Sequence, residues 1–345
     1  MLKILIVADI TYRPEKLYLY KEIILAKGFN RLGHDVRTVS YCGLMSELSP
    51  FKNRHLLRLL YKKKADEAVY RYSKQYKPDI ILFGFARYLD SSTILMLREG
   101  NPSAIFMVMD GDLYPNANPS RIDIGREMDF VLATNNGKYI DEYRKSGSIR
   151  CAFIPNVCNS DVEFRYPVSQ RWESGILWTG KVQHKKQEDN DETIRQEILL
   201  SLINENRAKL YGCFDLPKIA GLDYFYAISG AKIGLSINVE NSIPLYHSDR
   251  FTHYAACGSM VLAKRVPETE LLMEDKKHVV YFDTKEECFE LMNWYLKHEN
   301  ERTKIASFGM ERCRKIFCPE KIGEYILSLI NSGQYSAPWG TYELK

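Results

Sequence analysis

Short apolar runs recur along the chain, with longer amphipathic or polar stretches between them. Short apolar runs alternating with longer helical patterns predict parallel βαβ units. In the first half they predict strands at Lys3–Ala8 (KILIVA), Asp35–Ser40 (DVRTVS), Asp79–Phe83 (DIILF), Ala104–Met109 (AIFMVM), Phe130–Thr134 (FVLAT) and Cys151–Ile154 (CAFI). Between the first two, Leu19, Ile23, Ala26 and Leu32 fall near one face of a helix, and Gly33-His34 turns the chain into the second strand. Pro78-Asp79 and Asn101-Pro102 cannot continue a helix and introduce two of the later strands.

The rhythm breaks at the polar, proline-containing stretch RYPVSQRWES (Arg165–Ser174). It restarts with Gly175–Thr179, Lys209–Tyr211, Lys232–Ile237, Met260–Ala263 and Val279–Phe282. The break divides the chain into residues 1–168 and 169–345, each an α/β, doubly wound, Rossmann-like domain, and two such domains facing across a cleft are the expected architecture. The last helix is free in this scheme to return to the first domain. A length of 345 residues suits two cores of this size.

Composition removes several classes. The net charge of +4 is too small to argue for nucleic acid, no apolar run approaches the ~18 residues of a membrane span, and the N-terminal MLKILIVAD reads as a strand rather than a signal peptide. Eight cysteines lie scattered with no C-x-x-C pair, which reads as reduced thiols in a cytoplasmic protein. The helix Arg54–Tyr72 is basic on one side, as an ordinary solvated face or as a surface for an anionic membrane or acidic polymer.

The densest chemistry runs from Ser236 to Ser259. A strand ends in Asn238, and after a polar loop Ser248, Asp249 and Arg250 open a helix that runs to Ala256-Cys257-Gly258. Backbone N–H groups at a helix start with a guanidinium beside them suit a diphosphate. Gly175 to Val182 fits G-x-x-x-x-G-K, but its middle residues form an apolar strand and Val182 replaces the magnesium-holding hydroxyl, so no ATPase loop is read there. What remains is Gly180-Lys181 at the carboxyl end of a strand, where open α/β sheets bind ligands, followed by Lys185 and Lys186. Asp110 and Asp112 could hold a divalent cation, although a plain turn or an acceptor contact explains them better. His247, Asp249 and His253 fit no zinc spacing, and no metal site is expected.

Taken together, the motifs resemble the group 1 glycosyltransferases of GT-B fold, especially the branch related to spore-coat-maturation glycosyltransferases. The resemblance is carried weakly by KILIVAD, Arg31-Leu-Gly-His-Asp-Val36 and Lys77-Pro-Asp-Ile-Ile81. It is carried more densely by Trp178-Thr-Gly180-Lys181, Lys209-Leu-Tyr-Gly212, Ile233-Gly-Leu-Ser-Ile-Asn238, Arg250-Phe-Thr-His253 with Ala256-Cys-Gly258, and the tail segments Tyr295–Arg302 and Ile305–Gly309.

The resemblance implies a metal-independent transfer of sugar from a nucleoside-diphosphate sugar, UDP- or GDP-linked, to a glycan, lipid-linked or other surface-polymer acceptor, as in polysaccharide biosynthesis. No further cofactor is implied. The enzyme would be cytoplasmic or peripheral at the inner face of the membrane. Lys181 and Arg250 would neutralise the departing diphosphate. Gly180, Lys185, Lys186, Tyr211, Gly212, Asn238, Ser248, Asp249, His253, Cys257, Gly258 and Ser259 would line the donor site. Asp9 and Asp110 are the candidate bases, and Thr11, Tyr12 and Asp112 would face the acceptor. The sequence departs from the family where Leu245 and His253 replace two glutamates, leaving His253 either to touch the donor or to serve as a satisfied partner beneath the helix. Transfer to modified DNA bases and a non-catalytic nucleotide- or glycan-binding protein are the alternative functions.

Overall fold

The computed structural model describes residues 1–10, 21–49, 54–84, 89–111, 119–147, 150–182, 190–205, 207–332, 334–337 and 339–343. The strands of the first half are β1 (Lys3–Ala8), β2 (Asp35–Ser40), β3 (Ile80–Phe83), β4 (Ile105–Asp110), β5 (Phe130–Ala133) and β6 (Cys151–Phe153). Its helices are α1 (Lys21–Arg31), α2 (Tyr41–Leu48), α3 (Arg54–Tyr76), α4 (Ser91–Gly100), α5 (Pro119–Arg126) and α6 (Lys138–Lys145). The second half supplies β7 (Ser174–Thr179), β8 (Ala208–Tyr211), β9 (Ala231–Ser236), β10 (Met260–Lys264) and β11 (Val280–Phe282). Helices α7 (Asn190–Asn204), α8 (Gly221–Gly230), α9 (Asp249–Ala256), α10 (Lys285–Lys297), α11 (Glu299–Ile316) and α12 (Pro319–Ser332) accompany them. A small pair, β12 (Gln334–Ala337) and β13 (Gly340–Glu343), follows.

Each strand expected from an apolar run is present. The first sheet has the order β2-β1-β3-β4-β5-β6 and the second β11-β10-β9-β7-β8, with parallel pairing throughout both. Helices cover both faces, which is why β3 and β5 are buried at every position. One core gathers Leu5, Val7, Ile81, Phe83, Phe106 and Val131; a separate one gathers Ile176, Trp178, Ile198, Leu235, Leu262 and Phe282.

The strand order fixes where each sheet can bind a ligand. After β7 the chain moves outward to β8, and after β9 it moves the other way to β10. Right-handed crossovers then send α7 and α9 to opposite faces, opening a crevice at the carboxyl ends of β7 and β9. The same reversal occurs between β1 and β3 in the first sheet.

The chain separates into two compact units, Met1–Pro155 with Pro319–Ala337 and Thr341–Lys345, and Asn156–Cys318 with Pro338–Gly340. The compositional break at Arg165–Ser174 lies inside the second unit. Residues 156–166 already pack there, since Asn156 Nδ2 donates to His247 O (2.9 Å), Cys158 N to Phe317 O (2.7 Å) and Tyr166 N to Ser229 Oγ (3.1 Å). Helix α12 belongs to the first unit. It lies so close to α1 that a side chain at Gly28 would strike the Pro319 backbone, and Arg31 pairs with Glu320 at 2.8 Å. All eight cysteines are free thiols. Among the described residues no helix is long and apolar enough to cross a membrane.

Candidate functional site

The crevice between β7 and β9 is closed at its floor by one side chain. Arg250, on the first turn of α9, donates from Nη1 to Thr179 O (2.9 Å) at the end of β7 and from Nη2 to Ile237 O (3.0 Å) just past β9. Its guanidinium carbon lies 4.0 Å from the centre of the Trp178 ring. Burial lowers its pKa, yet a guanidinium remains charged at any physiological pH. Among the described residues Arg250 makes no ion pair, and its Nε is buried without a hydrogen-bond partner. A fixed positive charge therefore stands where the topology of the sheet places a ligand.

The surroundings are built to admit it. Gly180 has φ +143°, and a Cβ there would land on Arg250 Nη1. Gly180 N donates to Tyr211 O (2.9 Å), and Gly212, at φ +81°, lies against the Gly180 carbonyl, so the ends of β7 and β8 meet through two glycines. Tyr254, one helical turn after Arg250, reaches the same strand end: its hydroxyl accepts from Thr179 N (2.9 Å) and bonds Thr179 Oγ1 (2.8 Å). Burial pushes its phenol up, which keeps it neutral. Lys181, the next residue after Gly180, is exposed and makes no ion pair among the described residues.

Asn238 holds the loop that leads into α9. Its Oδ1 accepts from Ser248 N (3.1 Å), its Nδ2 donates to Tyr246 O (3.3 Å), and its own N donates to Asn241 Oδ1 (3.2 Å). Leu245 is fully buried at φ +61°, a costly conformation for a branched side chain. Ser248 is the N-cap of α9, but its hydroxyl caps nothing and is buried without a partner. The N-cap side chain therefore takes none of the first N–H groups of α9.

In the first unit the β1–β3 crevice is bordered by Asp9, which follows β1, and by Gly84, which follows β3 and donates to Val7 O (2.9 Å). Glu22 of α1 lies directly on Gly84, leaving no room for a side chain there. Farther along, Asn135 is buried after β5 with its Oδ1 unpartnered.

Residues 195–328 match a family model described as glycosyl transferase-like. No curated protein matches the sequence. Among solved structures, a glycosyltransferase from Rickettsia africae superposes with TM-score 0.62 at 14% identity, covering 96% of this chain and 99% of the other. HepE of Anabaena, solved with UDP and glucose, gives 0.57 at 12% identity with 96% and 99% coverage. An alpha-glucosyltransferase solved with UDP-glucose and DNA containing an abasic site gives 0.58 at 12% identity with 96% and 100% coverage. The chain shares the two-sheet fold of these glycosyltransferase structures, and its residues 195–328 resemble the glycosyl transferase-like family.

Of the donor-side residues expected from the sequence, the structure brings Gly180, Lys181, Tyr211, Gly212, Asn238, Ser248, Asp249 and Arg250 to the carboxyl end of the second sheet. Asn238 and Arg250 also hold that end together, a role the sequence did not show. Lys185, Lys186, Thr11, Tyr12 and Asp112 lie outside the described residues.

Gly258 and Ser259 are corrections. They sit where α9 ends and β10 begins, at the opposite end of the sheet from the crevice, and their N–H groups close the helix onto Ala255 O and Tyr254 O (both 3.0 Å). Ser259 Oγ is spent on Ile228 O (2.6 Å) and Ala231 O (3.1 Å). Cys257 is completely buried beside them, and its N–H bonds His253 O. A diphosphate in the crevice reaches none of the three.

His253 is the satisfied partner rather than a donor contact. Its Nδ1 meets Tyr224 OH (3.0 Å) and its Nε2 lies 3.5 Å from Glu163 Oε1. Burial raises the Glu163 carboxyl, which His253 pulls back towards the charged form. Asp110 is likewise occupied: Arg121 and the Tyr143 hydroxyl (2.8 Å) hold its two oxygens, and it is 4% exposed, which removes it as an acceptor-side base. His247 is buried, bonding Leu245 O through Nδ1 (2.9 Å) and accepting from Asn156 N (3.4 Å). Among the described residues no group of three or more His, Cys, Asp or Glu could hold a metal.

Sequence reasoning named Trp178 only as part of a motif and missed Tyr254, Glu163 and Glu22. The spacing of Arg250 and Tyr254, four apart on one helix, was a readable sign that both face the same strand.

Proposed function

We propose that this protein transfers a sugar from a nucleoside-diphosphate sugar, UDP- or GDP-linked, to a glycan or lipid-linked acceptor of a surface polymer. On this reading the chain is akin to the spore-coat-maturation branch that its motifs resemble. The reading rests above all on Arg250, a charged guanidinium pinned across the β7–β9 switch point and paired with no carboxylate among the described residues. In the reaction the bond from the anomeric carbon to the diphosphate oxygen breaks and one to the acceptor oxygen forms. The acceptor proton passes to the leaving phosphate or to a base. Arg250, Lys181 and the positive end of the α9 dipole stabilise the charge that collects on the diphosphate, the work a divalent cation does elsewhere. The transfer is accordingly metal-independent. The first unit holds the acceptor, with Asp9 and Glu22 at its switch point as the carboxylates nearest that role. The eight free cysteines favour a reducing compartment, the cytoplasm or the inner face of its membrane.

Fold likeness alone stands behind transfer to DNA bases, and salt-dependent binding of duplex DNA would revive it. The test is a thermal-shift panel of UDP, GDP, ADP, CDP and TDP with magnesium and with EDTA. The expected result is stabilisation by UDP or GDP that survives EDTA and is lost in Arg250→Met and Lys181→Ala. Stabilisation that requires magnesium overturns metal independence. A protein that binds donor but neither transfers nor hydrolyses it is a binding module, and a response to no nucleotide defeats the reading.

A further inference from the structure

At the end of the second sheet opposite the β7–β9 crevice lies a hollow of ≈ 610 Å³, formed where β7 and β9 begin, α9 ends and α11 starts. Its volume is in the ~300–1,000 Å³ range of small-molecule sites.

The floor carries Arg302, whose side chain is 4% exposed. Nη1 donates to Tyr295 O (2.9 Å), and the acid beside it, Glu299, is 3.5 Å away and 70% exposed. A buried cation whose counter-charge stands in water is poorly neutralised. Ser174, also lining the hollow, has its Oγ buried with no hydrogen-bond partner among the described residues. Two more cations, Arg165 and Lys232, stand exposed at the rim with no ion pair among the described residues. The Arg165 chain crosses Gly258, where an added Cβ would lie 3.1 Å from Arg165 Cδ. These cations are not needed to cap the two helices that end here. Ile228 O of α8 is taken by Ser259 Oγ, and Ala255 O and Tyr254 O of α9 by the Gly258 and Ser259 N–H groups. The acid Glu173 shares the exposed rim.

We propose that this hollow is a second ligand site, separate from the donor crevice, that takes a small phosphate-bearing molecule with its phosphate on Arg302, Ser174 and the two rim cations. A doubly charged oxyanion supplies the counter-charge Arg302 lacks and an acceptor for the Ser174 hydroxyl. The hollow has room for a phosphomonoester of metabolite size rather than the free ion alone. The site does not depend on the nucleotide-sugar reading.

The test is a thermal-shift titration of the full chain with inorganic phosphate, against sodium acetate and sodium chloride at matched ionic strength. The expected result is a phosphate-specific rise in Tm. In the Arg165→Glu/Lys232→Glu variant, whose changes are confined to exposed side chains, at least tenfold more phosphate is needed. Lys181→Ala leaves the response unchanged. The proposal is overturned if phosphate does no more than acetate or chloride, if the rim variant responds as wild type does, or if Lys181→Ala abolishes the shift, which would put the phosphate in the donor crevice. None of these outcomes depends on whether UDP or GDP binds.

Discussion

Gly180→Ala is the sharpest perturbation of the donor crevice, because the position is fixed by two independent constraints. At φ +143° the backbone lies in a region that only glycine occupies at low cost, and forcing another residue there costs about 1–3 kcal/mol. The new methyl would also land on Arg250 Nη1, the atom that donates to Thr179 O at 2.9 Å. Losing one hydrogen bond from a charged donor costs about 1.5–3 kcal/mol. Together these give a loss of about 2.5–6 kcal/mol, and at about 2–4 °C per kcal/mol the transition of the second unit falls by roughly 5–24 °C. Chemical denaturation followed by Trp fluorescence reads it, since Trp178 lies under the displaced guanidinium. A double-mutant cycle with Arg250→Met separates the two contributions: without the guanidinium only the backbone strain remains, so Gly180→Ala should cost at least about 1.5 kcal/mol less in that background. A cost below about 0.5 kcal/mol in the wild-type background would refute the steric argument. Strict additivity in the cycle would show that Arg250 does not occupy the space above Gly180.

Other consequences follow from the same contacts. Tyr254→Phe leaves the buried Thr179 N–H without its 2.9 Å acceptor and should cost about 1–3 kcal/mol by equilibrium denaturation; no change would mean that water or a shifted helix replaces the hydroxyl. Asp110→Asn keeps a partner for Tyr143 but breaks the charge pair with Arg121, so it should lower stability by about 2 kcal/mol without abolishing transfer; loss of turnover in a fully stable variant would reinstate Asp110 as the base. Burial raises Glu163, so the folded state holds its proton more tightly than the unfolded chain does. This contribution is fully present below the unfolded pKa and is lost as pH rises through the folded one. The stability of wild type relative to Glu163→Gln should therefore decline as pH climbs above the ordinary glutamate range, and a difference flat in pH would contradict the raised value.

Most strands and their parallel pairing were legible along the chain, because a strand buried on both faces must be apolar at nearly every position and a crossover helix must separate it from the next; their order within each sheet was not. KILIVA and DIILF could satisfy no other element. The short β12–β13 pair was not legible, since QYSA and GTYE carry no apolar run. The polar break at 165–174 was readable as a break, but not the side to which it belongs, which His247, Ser229 and Phe317 decide by contact. Within the crevice, the glycines and the basic residues at strand ends were visible as motifs. Their partners were not, because a hydrogen bond from Arg250 to Thr179 joins positions 71 residues apart and leaves no local pattern. For the same reason Ser259 and Cys257 read as phosphate ligands while they face the far end of the sheet: eight residues of helix carry the chain from one edge to the other, and only the fold tells which end of α9 meets the ligand. Sequence alone thus determined which segments are buried as strands of parallel sheets, since burial of apolar surface is a property of each segment. The tertiary structure decided which charges converge and which are already spent, since that depends on contacts between segments far apart in the chain.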